Sequence, residues 1–203
     1  MRDTKTLAHF IWIGEGGLPP FYQQCLNSFA RLHPYWQIKL WTKIDADKVV
    51  KNSKYDFYRY DSFINRYNFI KYHILAEEGG WFVDLDIEWK LSLDQLMFDK
   101  VKGNAFPQLF IPVRSQQQTK QISVKDNDDM LIYTEKGLFY ELLEYISQRT
   151  DIDLTQRYEP YGPVSLSMWL HSTDYTREYM YEGEIQSNGY YCNHNNGLSW
   201  KFV

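Results

Sequence analysis

A glycine pair in the middle of the chain constrains the fold more than any other feature, because it separates a helical pattern from a strand pattern. Apolar residues recur at helical spacing before Gly79 and Gly80, and an apolar run that ends in two acids follows them. Glycine ends a helix readily because it adopts the left-handed backbone conformation without steric cost. Residues 63–86 therefore predict a helix, a sharp reversal and a buried strand, with Asp84 and Asp86 at the strand's carboxyl end.

The two acids alternate with apolar side chains. In an extended strand Asp84 and Asp86 point to one side, whereas Val83, Leu85 and Ile87 point to the other. Two negative charges on one side favour a hard divalent cation held by oxygen ligands, with water or a ligand's phosphates completing the shell. The alternative is that the acids only end the strand and solvate a turn.

The helix before the glycine pair is predicted to have a polar face beside its apolar one. We expect Asp61 or Ser62 to be its N-cap. Asn68 and Lys71 are three residues apart and are therefore neighbours on the helix surface. Their face continues with Tyr72 and Leu75, and the apolar face consists of Phe63, Tyr67, Ile70 and Ile74. The acids then emerge at the carboxyl end of a central strand, which is the edge where open α/β sheets bind ligands.

The first part of the chain predicts a strand, a helix and a second strand in close succession. An apolar run spans residues 7–13, a helical pattern spans residues 21–32, and a second apolar run spans residues 37–41. Such an arrangement opens an α/β layer with right-handed crossovers. Further along, the pattern predicts a broken helix at 45–60, a short helix from 93, a strand at 105–113 and a helix at 137–148. The predicted fold class is α/β, with a central, mostly parallel sheet flanked by helices.

Length, charge and cysteine content limit the classes of function. A chain of 203 residues is most economically one domain, so we expect a single catalytic domain over residues 1–203, as a minimal unit or as part of a longer protein. A net charge of −4 argues against nucleic acid as a partner. Cys25 and Cys192 give neither a disulfide framework nor zinc spacing. No membrane span or signal peptide is recognisable, so we expect a cytoplasmic protein, with a mobile loop at residues 114–125.

Motifs along almost the whole chain resemble one known enzyme family. They are His9-Phe10-Ile11-Trp12-Ile13-Gly14, the helix that ends at Gly79-Gly80, the pair Asp84-Leu85-Asp86, and a terminal His194 followed by Trp200. In this order they resemble GT-A glycosyltransferases of the DXD sugar-binding group, which include the catalytic domains of large clostridial toxins and yeast α-mannosyltransferases. The resemblance spans residues 7 to 201 and is vague from 98 to 155.

The resemblance implies a GT-A fold, which is a Rossmann-like nucleotide-binding fold, and a metal-dependent enzyme. Such an enzyme moves a sugar from a nucleoside diphosphate sugar, most often a UDP-sugar, to a hydroxyl of a glycan or glycoconjugate, with retention of configuration. In this interpretation Trp12 stacks on the base and the backbone of Ile11 contacts the base edge. Ser199 and Trp200 close over the diphosphate.

The resemblance also implies a cation site. Asp84 corresponds to the acid near the ribose and a metal-bound water, Asp86 to the acid that binds the metal, and His194 to a histidine near the metal. A fixed cation stabilises the charge that develops on the diphosphate when the sugar–phosphate bond breaks. Because imidazole is a softer donor than carboxylate, this mixed set favours Mn²⁺, with Mg²⁺ as the alternative.

Two departures from the family concern the donor sugar. Asn68 and Lys71 stand where the family usually has Asp and Arg. Asn68 therefore has an amide in place of a carboxylate, and Lys71 has an ammonium group in place of a planar guanidinium with several donors. Phe82 stands where a tyrosine is frequent, so a hydroxyl is lost. These changes predict altered contacts to the donor, whose sugar need not be glucose or mannose.

The acceptor side has few markers. Asp128 or Asp129 could orient an acceptor hydroxyl or stabilise an oxocarbenium-like centre, although a cluster of charges usually faces solvent. With Lys71, Asp84 and Asp86 they complete the set of candidate catalytic residues.

Two other functions remain open at this point. The first is a sugar-nucleotide-binding module with little turnover, suggested by Asn68 and Lys71. The second is a carboxylate-metal phosphodiesterase, which would need more acids around two metals.

Overall fold

The structure is a computed structural model that describes residues 4–55, 63–113, 130–149, 163–174, 177–181 and 189–195. The strands are β1 (Leu7–Trp12), β2 (Gln37–Thr42), β3 (Gly80–Val83), β4 (Ile87–Trp89), β5 (Leu109–Val113), β6 (Leu131–Thr134), β7 (Arg177–Tyr181) and β8 (Cys192–His194). The helices are α1 (Pro20–Leu32), α2 (Lys43–Asn52), α3 (Phe63–Glu78), α4 (Leu93–Val101), α5 (Phe139–Gln148) and α6 (Pro163–His171). Among the helices in these ranges, none is long and apolar enough to cross a bilayer.

The main sheet has the strand order β2-β1-β3-β6-β5-β7, and β4 pairs with β8 in a separate ribbon. Strand β1 is parallel to β2 and β3, and β5 is parallel to β7, whereas β6 is antiparallel to both of its neighbours. The predicted α/β class with a central, mostly parallel sheet is thus confirmed. Because β1 and β3 are parallel, their carboxyl ends lie at the same sheet edge.

Most of the predicted elements are present. The first strand, α1, β2, α3 and α5 lie where the sequence places them, and β5 occupies the second half of the predicted strand at 105–113. The expected helix at 45–60 is α2, which ends at Asn52. The proposed N-caps Asp61 and Ser62 and the expected loop at 114–125 lie outside the described residues.

The structure corrects the prediction that both acids lie in an extended strand. Strand β3 ends at Val83, and residues 84–86, which we call the acid turn, lead to β4. The Ile87 N–H donates to the Asp84 carbonyl oxygen at 3.4 Å and closes this turn. The extended conformation stops because β4 leaves the main sheet to pair with β8. Asp84 and Asp86 therefore lie in a turn, and strand alternation does not set the directions of their side chains.

Apolar side chains cover both faces of the main sheet. Phe82 on β3 and Ile132 on β6 face the core that contains α3, α5 and α6. Trp81 and Val83 face the opposite core, which contains α1 and α4 and includes Phe10. A strand buried on both faces has apolar residues at every position, which explains the unbroken run before the acids.

His9 joins the first two strands to the glycine pair. Its ring is buried in β1, where the Trp41 Nε1–H donates to Nδ1 at 3.0 Å. The proton of the neutral ring is therefore on Nε2, which donates to the Gly79 carbonyl oxygen at 2.8 Å. Burial lowers the pKa of His9 from 6.5 to about 4. A second proton on Nδ1 would remove the bond from Trp41, so the network requires the neutral ring.

The glycine pair turns the chain from α3 into β3 in the left-handed region, with φ of 67° at Gly79 and 93° at Gly80. A methyl group at Gly79 would lie 2.5 Å from the Lys136 nitrogen, and one at Gly80 would lie 2.7 Å from the Leu7 carbonyl oxygen. Both positions therefore exclude side chains for two reasons, namely backbone conformation and lack of space. The predicted helix stop is confirmed.

We expect Gly80→Ala to lower the free energy of unfolding by about 3 kcal/mol, because the strain of a positive φ adds to a close contact with the backbone of β1. Urea unfolding of the purified protein measures this change. Gly17→Ala is the matched control, since nothing lies within 4 Å of the added methyl group there. Equal stability of the two variants would contradict this explanation of the reversal.

We also expect the protein to lose stability as the pH falls from about 6.5 to about 4. Burial lowers the pKa of His9 to about 4 and lowers that of His33 as well, so the unfolded chain binds protons in this interval that the folded chain does not. The free energy of unfolding therefore has its full value above pH 6.5. By pH 4 it should fall by about 3 kcal/mol because of His9 alone. Unfolding free energies at pH 7 and pH 4.5 test this. His9→Gln should reduce the difference between the two values, and an unchanged difference would exclude His9 as its source.

Candidate functional site

The candidate site lies at the sheet edge where β1 and β3 end. Trp12 is the last residue of β1, and Asp84 directly follows β3. Since His9 pairs with Phe82 in the parallel register, the same register continued by two residues puts Asp84 level with Ile11. The N-terminal strand and the acid turn, which are far apart in sequence, thus meet at this edge.

The acid turn is fixed by backbone and side-chain contacts. The Asp84 N–H donates to the Met130 carbonyl oxygen at 2.8 Å, which extends the pairing of β3 with β6. The Tyr67 hydroxyl on α3 lies 3.5 Å from Asp84 Oδ1, at the long limit of a hydrogen bond. Asp86 has only 8% of its surface exposed. Asp84 is therefore held through its backbone, and Asp86 is largely buried, before any ligand arrives.

The tail of the chain returns to the acid turn through β8. Ile87 pairs with His194 in the antiparallel β4–β8 ribbon. The next residue, Asn195, donates from its backbone N–H to the Asp86 carbonyl oxygen at 3.0 Å. The backbone of His194 is thus adjacent to Asp86, as a shared cation site requires, while the position of its side chain lies outside the described part.

The donor set at this edge fits a hard divalent cation. Two carboxylates in a three-residue turn provide oxygen ligands, and β8 brings the His194 backbone beside them. Among the described side chains, no group of three or more His, Cys, Asp and Glu residues is close enough to hold a metal ion. The two acids could therefore supply only part of a shell, and His194 and the phosphates of a ligand would have to supply the rest.

The polar face of α3 is buried beside the acid turn. Asn68 is 4% exposed and Lys71 only 1% exposed. The Lys71 Nζ lies 4.8 Å from the ring centroid of Phe82, 5.3 Å from that of Tyr72 and 5.9 Å from that of Tyr67. Tyr67 in turn contacts Asp84. A lysine ammonium enclosed by three rings is uncommon, because lysine is rarely fully buried. Lys71 is therefore connected to the acid turn through Tyr67.

Trp12 is partly buried at the same edge. Its ring lies 5.4 Å from that of Tyr22 on α1, with an angle of 38° between the ring planes. A methyl group at Gly14 would lie 2.6 Å from the indole, so the loop after β1 runs directly over the ring. Within the described ranges, the buried Nε1–H has no hydrogen-bond partner. Ile11 is buried, and only its backbone could contact a base.

Four candidate residues lie outside the described residues, namely Asp128, Asp129, Ser199 and Trp200. Their assignments stay predictions.

Sequence reasoning missed two residues near the acid turn and assigned a third incompletely. Asn195 bonds to the backbone of Asp86, and the buried thiol of Cys25 on α1 lies close to both of them. Burial, and then the charges of Asp86 and Glu88, raise the pKa of Cys25 to about 11. Tyr67 was predicted only as an apolar contact. Its position four residues before Lys71 was the one available signal.

Comparison with known proteins finds a family that resembles the first half of the chain. Residues 19–102 match the family described as glycosyltransferase sugar-binding region containing DXD motif. The match includes Asn68, Lys71 and both acids of the acid turn. Residues 19–102 are thus similar to the DXD sugar-binding family of glycosyltransferases. This DXD region contains α1 to α4, β3 and the acid turn, whereas β1 and β8, which complete the edge described above, lie outside it.

A curated protein is similar to part of the chain. Over 107 residues the chain is 31% identical to inositol phosphoceramide mannosyltransferase 1 of Schizosaccharomyces pombe. This alignment covers 48% of this chain and 32% of that protein. The chain thus spans about a third of the length of this curated relative.

Solved structures show the same fold at low identity. The PaToxG glycosyltransferase aligns with a TM-score of 0.51 at 15% identity, covering 83% of this chain and 69% of its own. Mouse xyloside xylosyltransferase 1, in its apo form, aligns with a TM-score of 0.52 at 11% identity, and the alignment covers 96% of this chain and 99% of the mouse chain. The galactosyltransferase LgtC, in complex with donor and acceptor sugar analogues, aligns with a TM-score of 0.50 at 12% identity. This alignment covers 87% of this chain and 74% of the LgtC chain. The DXD region thus belongs to a GT-A fold, as the sequence predicts.

We expect Gly14→Ala to displace the Trp12 ring from Tyr22, because the new methyl group would lie 2.6 Å from the indole. Overpacking of this kind costs about 1–3 kcal/mol. The near-UV circular dichroism spectrum should change, and the free energy of unfolding should fall. Gly17→Ala again serves as the control. A Gly14→Ala protein with a wild-type spectrum and stability would show that the ring does not pack under the loop.

Proposed function

We propose that this chain is a metal-dependent, retaining glycosyltransferase. It moves a sugar from a nucleoside diphosphate sugar, with a UDP-sugar favoured, to a hydroxyl of a glycan or glycoconjugate. The observation that carries the proposal is the meeting, at one sheet edge, of the acid turn, strand β8 and the buried polar face of α3. The DXD family and the GT-A fold support the same function.

Asp84, Asp86 and His194 hold the cation in this proposal, with Mn²⁺ favoured and Mg²⁺ as the alternative. When bound, the cation neutralises the charge that develops on the diphosphate. The acid turn contributes the rigidity that such a site needs, because Asp84 is held through its backbone by Met130 and near its carboxylate by Tyr67. A ligand set that is positioned in advance loses little entropy on binding.

The nucleotide occupies the end of β1 in this proposal. Trp12 offers an aromatic ring for the base, and the backbone of Ile11 offers hydrogen-bonding groups for the base edge. The unsatisfied Nε1–H of Trp12 supports this assignment, because a buried donor without a partner is costly and a ligand could satisfy it. Ser199 and Trp200 are proposed to cover the diphosphate.

Lys71 and Asn68 contact the donor in this proposal. Lys71 is a positive charge in a nearly water-free environment, where its attraction to a diphosphate or to a polar sugar group is strengthened. Asn68 offers one acceptor and two donor hydrogens to sugar hydroxyls. Phe82 offers only a ring face near Lys71 Nζ. Together these residues select a donor sugar different from that of family members with Asp and Arg.

The proposed reaction needs no protein nucleophile. The bond between the anomeric carbon and the diphosphate oxygen breaks, and the acceptor oxygen forms a new bond to that carbon on the same face. The acceptor hydroxyl proton passes to the departing diphosphate oxygen. Asp128 or Asp129 is proposed to orient the acceptor hydroxyl.

The chain covers only 32% of its curated relative, so that relative does not fix the acceptor or the activity of the complete protein. The glycan acceptor is therefore part of the proposal. We propose a cytoplasmic location, which the two cysteines, Cys25 and Cys192, support because neither forms a disulfide.

The test combines binding and turnover. In a thermal-shift series with Mn²⁺ and UDP-, GDP- and dTDP-sugars, the nucleotide sugars of one base should stabilise the protein. The free energy of unfolding should rise by about 2.7 kcal/mol at a ligand concentration of 100 times Kd. Asp86→Ala should remove this stabilisation and lower release of the nucleoside diphosphate about 100-fold or more, the scale for loss of an electrostatic stabiliser.

The control is Asp47→Ala, which removes an exposed acid of α2. It should behave as wild type. Nucleoside diphosphate release by Asp86→Ala at the wild-type rate would contradict the proposal. Binding of a nucleotide sugar by the wild type without transfer to any acceptor glycan would instead support a sugar-nucleotide-binding module.

A further inference from the structure

Asn195 makes two hydrogen bonds to a single backbone atom of the acid turn. Its backbone N–H and its side-chain Nδ2 both donate to the Asp86 carbonyl oxygen, each at 3.0 Å. Nδ2 also lies 3.5 Å from the Asn193 carbonyl oxygen, so the amide lies across the turn and the end of β8. The Asn195 side chain is exposed and yet has a defined set of partners.

Helix α1 supports the ribbon beside this amide. The Trp89 N–H of β4 donates to the Ser28 hydroxyl oxygen on α1 at 2.8 Å. The Asn195 amide therefore joins the acid turn to the end of β8, while α1 holds β4 in place.

The ribbon that holds β8 is short. It pairs Ile87 with His194, Glu88 with Asn193 and Trp89 with Cys192. A two-stranded ribbon of this length is marginal by itself. Because Asn195 lies just beyond the His194 end of the ribbon, its two bonds to Asp86 stabilise the end that adjoins the cation site.

We propose that Asn195 is a positioning residue for the cation site, which fixes the distance between Asp86 and the backbone of His194. This inference rests on the proposed function. A bond to the Asp86 carbonyl limits rotation about the backbone of that residue and thereby sets the direction of its carboxylate. Asn195 is not expected to touch the cation or the substrate, so it acts only through its neighbours.

The test measures binding of Mn²⁺ alone to the full chain, by electron paramagnetic resonance of the free ion. Asn195→Ala keeps the backbone bond and removes the side-chain bonds, so Kd for Mn²⁺ should rise about tenfold. The melting temperature without metal should stay at the wild-type value, because the residue is exposed. Turnover should fall at low Mn²⁺ and recover at saturating Mn²⁺.

A control variant separates positioning from a general effect. Asn104→Ala, in the exposed loop after α4, should leave Kd for Mn²⁺ unchanged.

The outcomes distinguish this inference from the proposed function. If the wild type binds Mn²⁺ and Asn195→Ala binds it equally well, the inference is overturned and the proposed function stands. If the wild type binds no Mn²⁺, metal dependence fails and the inference fails with it. A loss of affinity in Asn195→Ala that comes with a melting temperature several degrees lower would indicate a purely structural role and would overturn the inference as well.

Discussion

The reversal at Gly79 and Gly80 is the constraint on which the rest of the structure depends. Neither position has room for a side chain, because the backbones of Lys136 and Leu7 pass too close. His9 holds the carbonyl of Gly79 from within β1, and an ion pair between Lys39 and Glu78, with N–O distance 2.6 Å, joins the end of α3 to β2. As a result α3 folds back directly on β3. Without this tight reversal, the polar face of α3 would not lie level with the end of β3.

The candidate site follows from that geometry. The helix runs back along the strand, so Tyr67 reaches Asp84 and the buried ammonium of Lys71 lies over Phe82. Helix α3 lies on one face of the sheet, and α1, which supports Trp12 through Tyr22, lies on the other. A ligand at the sheet edge can therefore be contacted from both faces. This is the general advantage of the carboxyl edge of a parallel sheet.

The parts of the fold that could be predicted are those with local causes. Helical periodicity and a glycine stop predict α3, and an apolar run before a loop predicts β1. The prediction that failed assumed that the strand continues through Asp84 and Asp86. The chain turns there because Ile87 pairs with His194, a contact between residues far apart in sequence. Strands β4 and β8 have three residues each, so they have little periodicity and depend on partners that a local pattern does not reveal.

The sequence by itself determined which chemical groups are present and which local elements carry them: two acids after a buried strand, a polar pair on the preceding helix, and a glycine pair between them. Only the tertiary structure decided that Lys71 is enclosed by three rings and that Asn195 bonds to Asp86 across 109 positions. The physical reason is the range of the interactions. Backbone conformation and helix periodicity act between neighbours in sequence, whereas burial and strand pairing depend on which distant segments meet when the core closes.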